Sequence, residues 1–370
     1  MAISMAIVTI VLSLGSWSPP PPPPLSNPPP LHPTGRRSSL ASWEAFVRRA
    51  YDRIYRPFRS RCHADAPALE CLEAMYAATE EADAPWWLRT MLRDARHAHA
   101  AILHGAWHSL ASRRPTGSAV CTIEKVGTTN FRRFMALLQA DGARGARGCS
   151  ARPFASIHSV LAPEEGVAYT GRRRGHDEMI GALHGREGWS TFVFLREPLE
   201  RFASGFEDKC RRNPAERHCS PLEIFGNGSR SRALRSHTSL RGQLAAYADT
   251  FPLSWNLHFF PQALFCDDLG RNLHRYSFVG RMNETFLQQM RHVAAHIDHC
   301  ASSQAGASDA AMRAYRCVFP VKQDGHATHA KRHVSRMISA FSARRLLEIF
   351  SIDYVELELP LPSFLEELPF

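Results

Sequence analysis

The sequence predicts an α/β fold, a central parallel sheet preceded by a helical N-terminal extension. Two apolar, β-branched or aromatic runs, Cys121-Thr122-Ile123 and Phe192-Val193-Phe194-Leu195, each end in a short polar turn and open into a helical pattern. Strands that alternate with helices favour parallel pairing, with helices covering the sheet. The 370 residues are 44% hydrophobic, enough for one substantial core with appendages, and nothing in them suggests a repeat array.

Met1 to Leu14 is an apolar run broken only by Ser4, Thr9 and Ser13, shorter than the span of about 20 residues that crosses a bilayer. No Lys or Arg precedes it, so the positive start of a signal peptide is missing. Residues 1–18 are expected to be a signal peptide or signal anchor, against the alternative of a disordered start. Residues 19–40, dominated by proline from Pro19 to Pro33, read as an extended stem.

Residues 41–118 are expected to form the helical extension. Trp43, Phe46, Val47, Ala50, Tyr51 and Ile54 recur at helical spacing from near Ser42 and stop before Pro57. A second helical stretch covers Pro85 to Leu110, and residues 111–118 form a boundary loop. The main domain, 119–370, opens with the strand Ala119 to Ile123. Phe131, Phe134, Met135 and Leu138 then give the apolar stripe of a helix that starts at Thr129 and Asn130, and residues 141–152 read as a loop. The strand Thr191 to Leu195 leads to Pro198 in a first helical turn, with Leu199, Phe202 and Phe206 on one face. A helix-rich C-terminal half follows, with Leu346, Ile349 and Phe350 on one helical face.

Lys and Arg exceed Asp and Glu by ten, which suits a polyanionic partner: nucleic acid, an acidic membrane or an anionic glycan. Nine cysteines and two sequons, Asn227-Gly228-Ser229 and Asn283-Glu284-Thr285, agree with a secretory location. Cys62 with Cys71, Cys210 with Cys219 and Cys300 with Cys317 are near in sequence and are candidate disulfides. Cys121, inside a buried strand, is the candidate for the odd thiol.

Lys125-Val126-Gly127-Thr128-Thr129 follows a strand and precedes a helix, so loop amides and the helix dipole favour an oxyanion there. It is not a Walker A loop, because Lys precedes the only Gly by two positions, and this disfavours kinases and GTPases. A plain tight turn with a surface lysine is the alternative. Arg196 ends the other strand and Ser204 lies two helical turns on, which suits a second phosphate above the carboxyl edge of the sheet. By itself Arg196 reads as an ion pair with Glu200.

These residues resemble the Golgi-type carbohydrate sulfotransferase family, the group that contains chondroitin and related glycan sulfotransferases. Lys125 to Asn130 is similar to its 5′-phosphosulfate loop, and Arg196-Glu197-Pro198 through Ser204 to its 3′-phosphate motif. The similarity runs on through Gly205-Phe206-Glu207-Asp208-Lys209-Cys210, His258-Phe259-Phe260-Pro261-Gln262 with Cys266, Tyr276-Ser277-Phe278-Val279-Gly280 and Ile352-Asp353-Tyr354. Glu124 stands where many members have Pro, and Glu197 where Asp is usual. The resemblance implies a P-loop-like sheet topology and the sulfo donor PAPS. Lys125, Val126, Gly127, Thr128, Thr129, Asn130, Arg196 and Ser204 would bind the donor, and Lys125 would also stabilise the leaving oxygen.

The resemblance also implies an anionic glycan acceptor of glycosaminoglycan or chondroitin type, no nucleic-acid partner, and a Golgi or secreted location with membrane contact through the N-terminal segment. A histidine suits the general base. His176 resembles the base of a related glycosaminoglycan sulfotransferase group, with His158 and His184 as rivals. His292, His296, His299 and Cys300, and also His326, His329 and His333, have metal-like spacings. No framing carboxylate or Cys-x-x-Cys accompanies them, and no metal is expected. An inactive glycan-binding protein of the same fold remains the alternative function.

Overall fold

The computed structural model describes residues 39–62, 68–81, 84–93 except 86 and 90, 109–112, 117–144, 189–212, 258–305 except 267, 309–319 and 330–369, with isolated positions between 239 and 248. The expected signal or anchor segment, the stem up to residue 38, Asn227 and the three candidate base histidines, His158, His176 and His184, lie outside these residues, whereas the last two residues of the expected stem, Ser39 and Leu40, begin the first helix.

The chain enters through α1, Leu40–Ile54, whose N-cap Ser39 accepts a hydrogen bond from the Ser42 amide. Trp43, Val47, Ala50 and Ile54 are buried along one face, as the spacing predicts. A helical turn at Arg56–Arg59 follows, and then α2, Ala68–Glu81, tied back by the disulfide Cys62–Cys71. Of the helix expected from Pro85 to Leu110, the described part is helical only at residues 87–89 and 91–93.

Four strands form the sheet in the order β1 (Ser109–Ser112), β2 (Gly117–Cys121), β3 (Trp189–Leu195) and β4 (Phe278–Arg281). β2, β3 and β4 are parallel, as expected, whereas β1 pairs antiparallel with β2 from Ser109↔Cys121 to Ser112↔Ser118. This edge hairpin corrects the expected helix end and boundary loop. Ser-Leu-Ala-Ser is too short and too polar to show an apolar alternation, and its pairing depends on a partner strand.

Phe192, Val193, Phe194 and Leu195 are each 1% exposed or less, so β3 is covered on both faces. On one face α3, Thr128–Arg144, and α5, Phe286–Ala305, meet the sheet through an aromatic cluster. Phe131 stacks on Phe194 at 5.3 Å, and Phe286 meets Phe194 edge-on at 5.1 Å. Phe194 also explains Gly280 in β4, because a Cβ there would lie 2.3 Å from its ring. α4, Pro198–Gly205, buries Leu199 and Phe202, and Phe202 packs against Phe259 and Phe350 at 5.2 and 6.0 Å.

The C-terminal part adds α6 (Ala310–Val318), α7 (Ala330–Met337), α8 (Ala340–Ile349) and α9 (Ser351–Glu356). Leu346, Ile349 and Phe350 are buried, as their spacing predicts. The N-terminal helix is anchored to this region: Trp43 Nε1 donates to Leu365 O at 2.9 Å and Tyr55 OH to Ile349 O at 2.5 Å. Arg59 forks onto both Asp268 oxygens at 2.6 Å and onto both Glu356 oxygens at 2.6 and 2.8 Å.

Cys121 is not the odd thiol. It is joined to Cys266, across 145 residues, at the end of β2. Nor are Cys300 and Cys317 joined: Cys317 is disulfide-bonded, whereas Cys300 is a thiol 3.7 Å from His296 Nε2. Closeness in sequence identified Cys62 with Cys71 correctly and failed for Cys300 with Cys317 and for Cys121, because folding also brings together cysteines far apart in the chain. Cys210 is disulfide-bonded, but Cys219 lies outside the described residues. The second sequon residue, Asn283, is exposed just after β4. Among the described residues no helix is long and apolar enough to cross a membrane.

Candidate active site

Because β2, β3 and β4 are parallel, the turns that follow β2 and β3 leave the same edge of the sheet. The turn after β2 runs from Thr122 to Gly127. Lys125 and Gly127 both take left-handed backbone angles, with φ of 69° and 78°, a conformation that glycine adopts freely and lysine only under constraint.

The constraint is visible at three successive carbonyls. Ile123 O accepts from Val126 N at 3.0 Å and from the Thr128 hydroxyl at 2.7 Å. Glu124 O accepts from Arg201 Nε at 2.8 Å, and Lys125 O from Arg196 Nη1 at 3.1 Å. With these carbonyls held by donors, the turn delivers the chain to the start of α3. There helix geometry leaves the amides of Gly127, Thr128 and Thr129 without intrahelical acceptors. A helix N-terminus beside a lysine and an arginine has the charge and the donors that suit an anion.

Val126 is 1% exposed and its amide is given to Ile123 O, so within this turn it packs and shapes. Thr129 and Asn130 are half-buried at the helix start, and the Asn130 amide bonds Gly127 O at 2.9 Å. Lys125 Nζ is in direct contact with Asp208 Oδ2. Burial pulls the Lys125 ammonium below the usual lysine range, and the hydrogen bond and charge of Asp208 oppose that pull.

Arg196 is fixed at its backbone by Gln262, whose amide accepts from Arg196 N at 3.0 Å and donates to Arg196 O at 2.8 Å. Its side chain bridges to the Lys125 turn and lies 3.8 Å from Glu200 Oε2, so the ion pair expected from sequence is present beside a second contact. The two predicted loops are thus in direct contact across 71 residues. Ser204 is buried in α4, two turns beyond Arg196.

Several residues in and beneath the site were not assigned roles from sequence. Arg201 is fully buried and joins Glu124 O to Phe260 O at 2.8 and 2.7 Å, and burial lowers it to about 10. Glu197 caps α4, accepting from the amides of Leu199 and Glu200 at 3.0 and 2.7 Å and from Tyr354 OH. Asp353 accepts from Ala263 N at 2.8 Å, next to the Gln262 that clamps Arg196. The segment Ile352-Asp353-Tyr354 therefore supports the Arg196 turn directly, and the Lys125 turn through Arg196. Asp208 and Lys209 lie in the π-helical turn Phe206–Arg212 that continues α4. His258 Nε2 lies 3.9 Å from Glu124 Oε2. The sequence signal for all of these was their place in runs of family similarity, which marks position but not contact.

A profile of the sulfotransferase family matches residues 116–358, two thirds of the chain. The chain belongs to the sulfotransferase family. The match begins just before β2 and ends just after α9, so it spans both turns and the segment that supports them. The mixed α/β architecture with three parallel strands agrees with a sulfotransferase fold. No curated protein and no solved structure matches the chain significantly.

Proposed function

We propose that this sulfotransferase moves a sulfo group from PAPS to a hydroxyl of a glycan, with a glycosaminoglycan or chondroitin-like chain as acceptor. The observation that carries the reading is the contact of the Lys125 turn with Arg196 at one edge of the parallel sheet. Two cations and a helix N-terminus fit a ligand with phosphates at two positions. The amides at the start of α3, with Thr128, Thr129 and Asn130 around them, would hold the phosphosulfate, and Arg196 with Ser204 the 3′-phosphate. PAPS supplies an activated sulfo group and a phosphate leaving group.

Lys125 places a positive charge where the leaving oxygen gains negative charge, which lowers the barrier electrostatically. Rigid positioning of the turn by Arg196, Arg201 and Thr128 adds the orientational part. His176 is the proposed general base, with His158 and His184 as rivals. The excess of ten positive charges suits an anionic glycan. A Golgi or secreted location, reached through the apolar N-terminal segment, agrees with the disulfides and the exposed Asn283 sequon.

Calorimetric titration of the full chain with PAP, beside Lys125→Ala and Arg196→Ala, tests the donor site. Binding should weaken by roughly ten- to a hundredfold in each variant, as expected when a charged partner of a phosphate is removed. No binding by the folded wild type would sink this reading. PAPS turnover with unsulfated chondroitin then tests the acceptor.

A further inference from the structure

Asp208 stands where the donor has to act. Its side chain is 7% exposed, and its Oδ2 contacts Lys125 Nζ and lies 3.7 Å from Lys209 Nζ. A buried carboxylate without a cation is costly, so this contact is strong while the site holds no anion. The same ammonium is the one a phosphosulfate at the start of α3 requires. Two anions that compete for one ammonium also repel each other if both stay beside it.

Three features suit an exchange rather than a permanent pair. The Lys125 backbone is held on either side, by Arg201 at Glu124 O and by Arg196 at Lys125 O, so only its flexible side chain needs to move. Lys209 is near enough to compensate Asp208 when Lys125 leaves. The carboxylate sits on a π-helical turn, a local widening of the helix that is frequent at functional sites.

We propose that Asp208 is a positioning residue that holds Lys125 when the donor is absent and yields it to the donor's phosphosulfate, passing its own charge to Lys209. This rests on the reading of a sulfo donor at this edge. Donor affinity is then the net result of exchanging one anion for another on Lys125, and removal of the Asp208 charge should raise it.

The test is a double-mutant cycle read by calorimetric titration of the full chain with PAP, with a thermal melt of each variant. Asp208→Asn should bind PAP on the order of tenfold more tightly than wild type. In the Lys125→Ala background the same substitution should change affinity less than about twofold, because no exchange remains. Asp208→Glu, which keeps the charge, should show no gain. Should Asp208→Asn not fold, Asp208→Ser removes the same charge.

Equal or weaker binding by the neutral variant would overturn the proposal. An equal gain in both Lys125 backgrounds would do so too, since that marks repulsion through space without exchange. If the folded wild type binds no PAP, the donor reading itself falls and takes this one with it. Wild-type binding with the wrong cycle removes only the role of Asp208.

Discussion

At Glu197 burial raises the carboxyl from 4.5 to about 7, even though Tyr354 and two backbone amides favour its charged form. An unfolded glutamate releases its proton near 4.5, so folding takes up a proton between there and about 7. The stabilisation from this residue is therefore present at low pH and lost as pH rises through that window, the reverse of an ion-paired carboxylate. Asp353 acts in the same direction, raised from 3.8 to about 6 mainly by burial. A shift of this size at Glu197 corresponds to about 3 kcal/mol across the window. Glu197→Gln cannot titrate, so its loss of melting temperature between pH 5 and pH 8 should be smaller than that of the wild type. Equal losses in thermal melts at the two pH values would count against the assignment.

The elements that sequence made legible are those whose signals are local. Each strand, turn and helix around Lys125 and Arg196 carries its own apolar run, its Gly127 or Pro198, and its helical stripe within about twenty residues. β1 carries no such signal, and its four residues become a strand only because β2 offers a partner. Asp208 and Lys125 are 83 residues apart, and Cys121 and Cys266 are 145 apart; no periodicity reports such pairs. The second pair closes β2, which enters the Lys125 turn, onto the segment that supplies Gln262. Replacing both cysteines by serine should lower stability by about 2–5 kcal/mol. Urea unfolding of the purified protein checks this, and an unchanged midpoint would mean that the bond adds nothing to the folded state.

On the scale of the whole molecule, the sulfotransferase core is closed by segments that the family match leaves out. Residues 116–358 exclude α1 and Leu365, yet Trp43 is fully buried and bonds Leu365 O. Arg59 supplies the central tie, a buried guanidinium shared between Asp268 and Glu356. Removing the guanidinium takes the shared cation from both carboxylates and leaves Asp268 with the longer Arg271 contact at 3.6 Å, so Arg59→Met should cost about 3–5 kcal/mol. Thermal melts should show it as a large fall. A loss no greater than that of Arg53→Met, whose partner contact is exposed at the surface, would show that the tie contributes little.

The bond from Trp43 to Leu365 spans 322 residues and also sets an order of events during synthesis. At roughly 5–20 residues per second, a ribosome needs on the order of 16–64 s to travel from one to the other. Throughout that interval Trp43, Val47, Ala50 and Ile54 present an apolar stripe with its final cover not yet made. The apolar face of the nascent N-terminal helix is thus completed only when the last-made residues dock onto it.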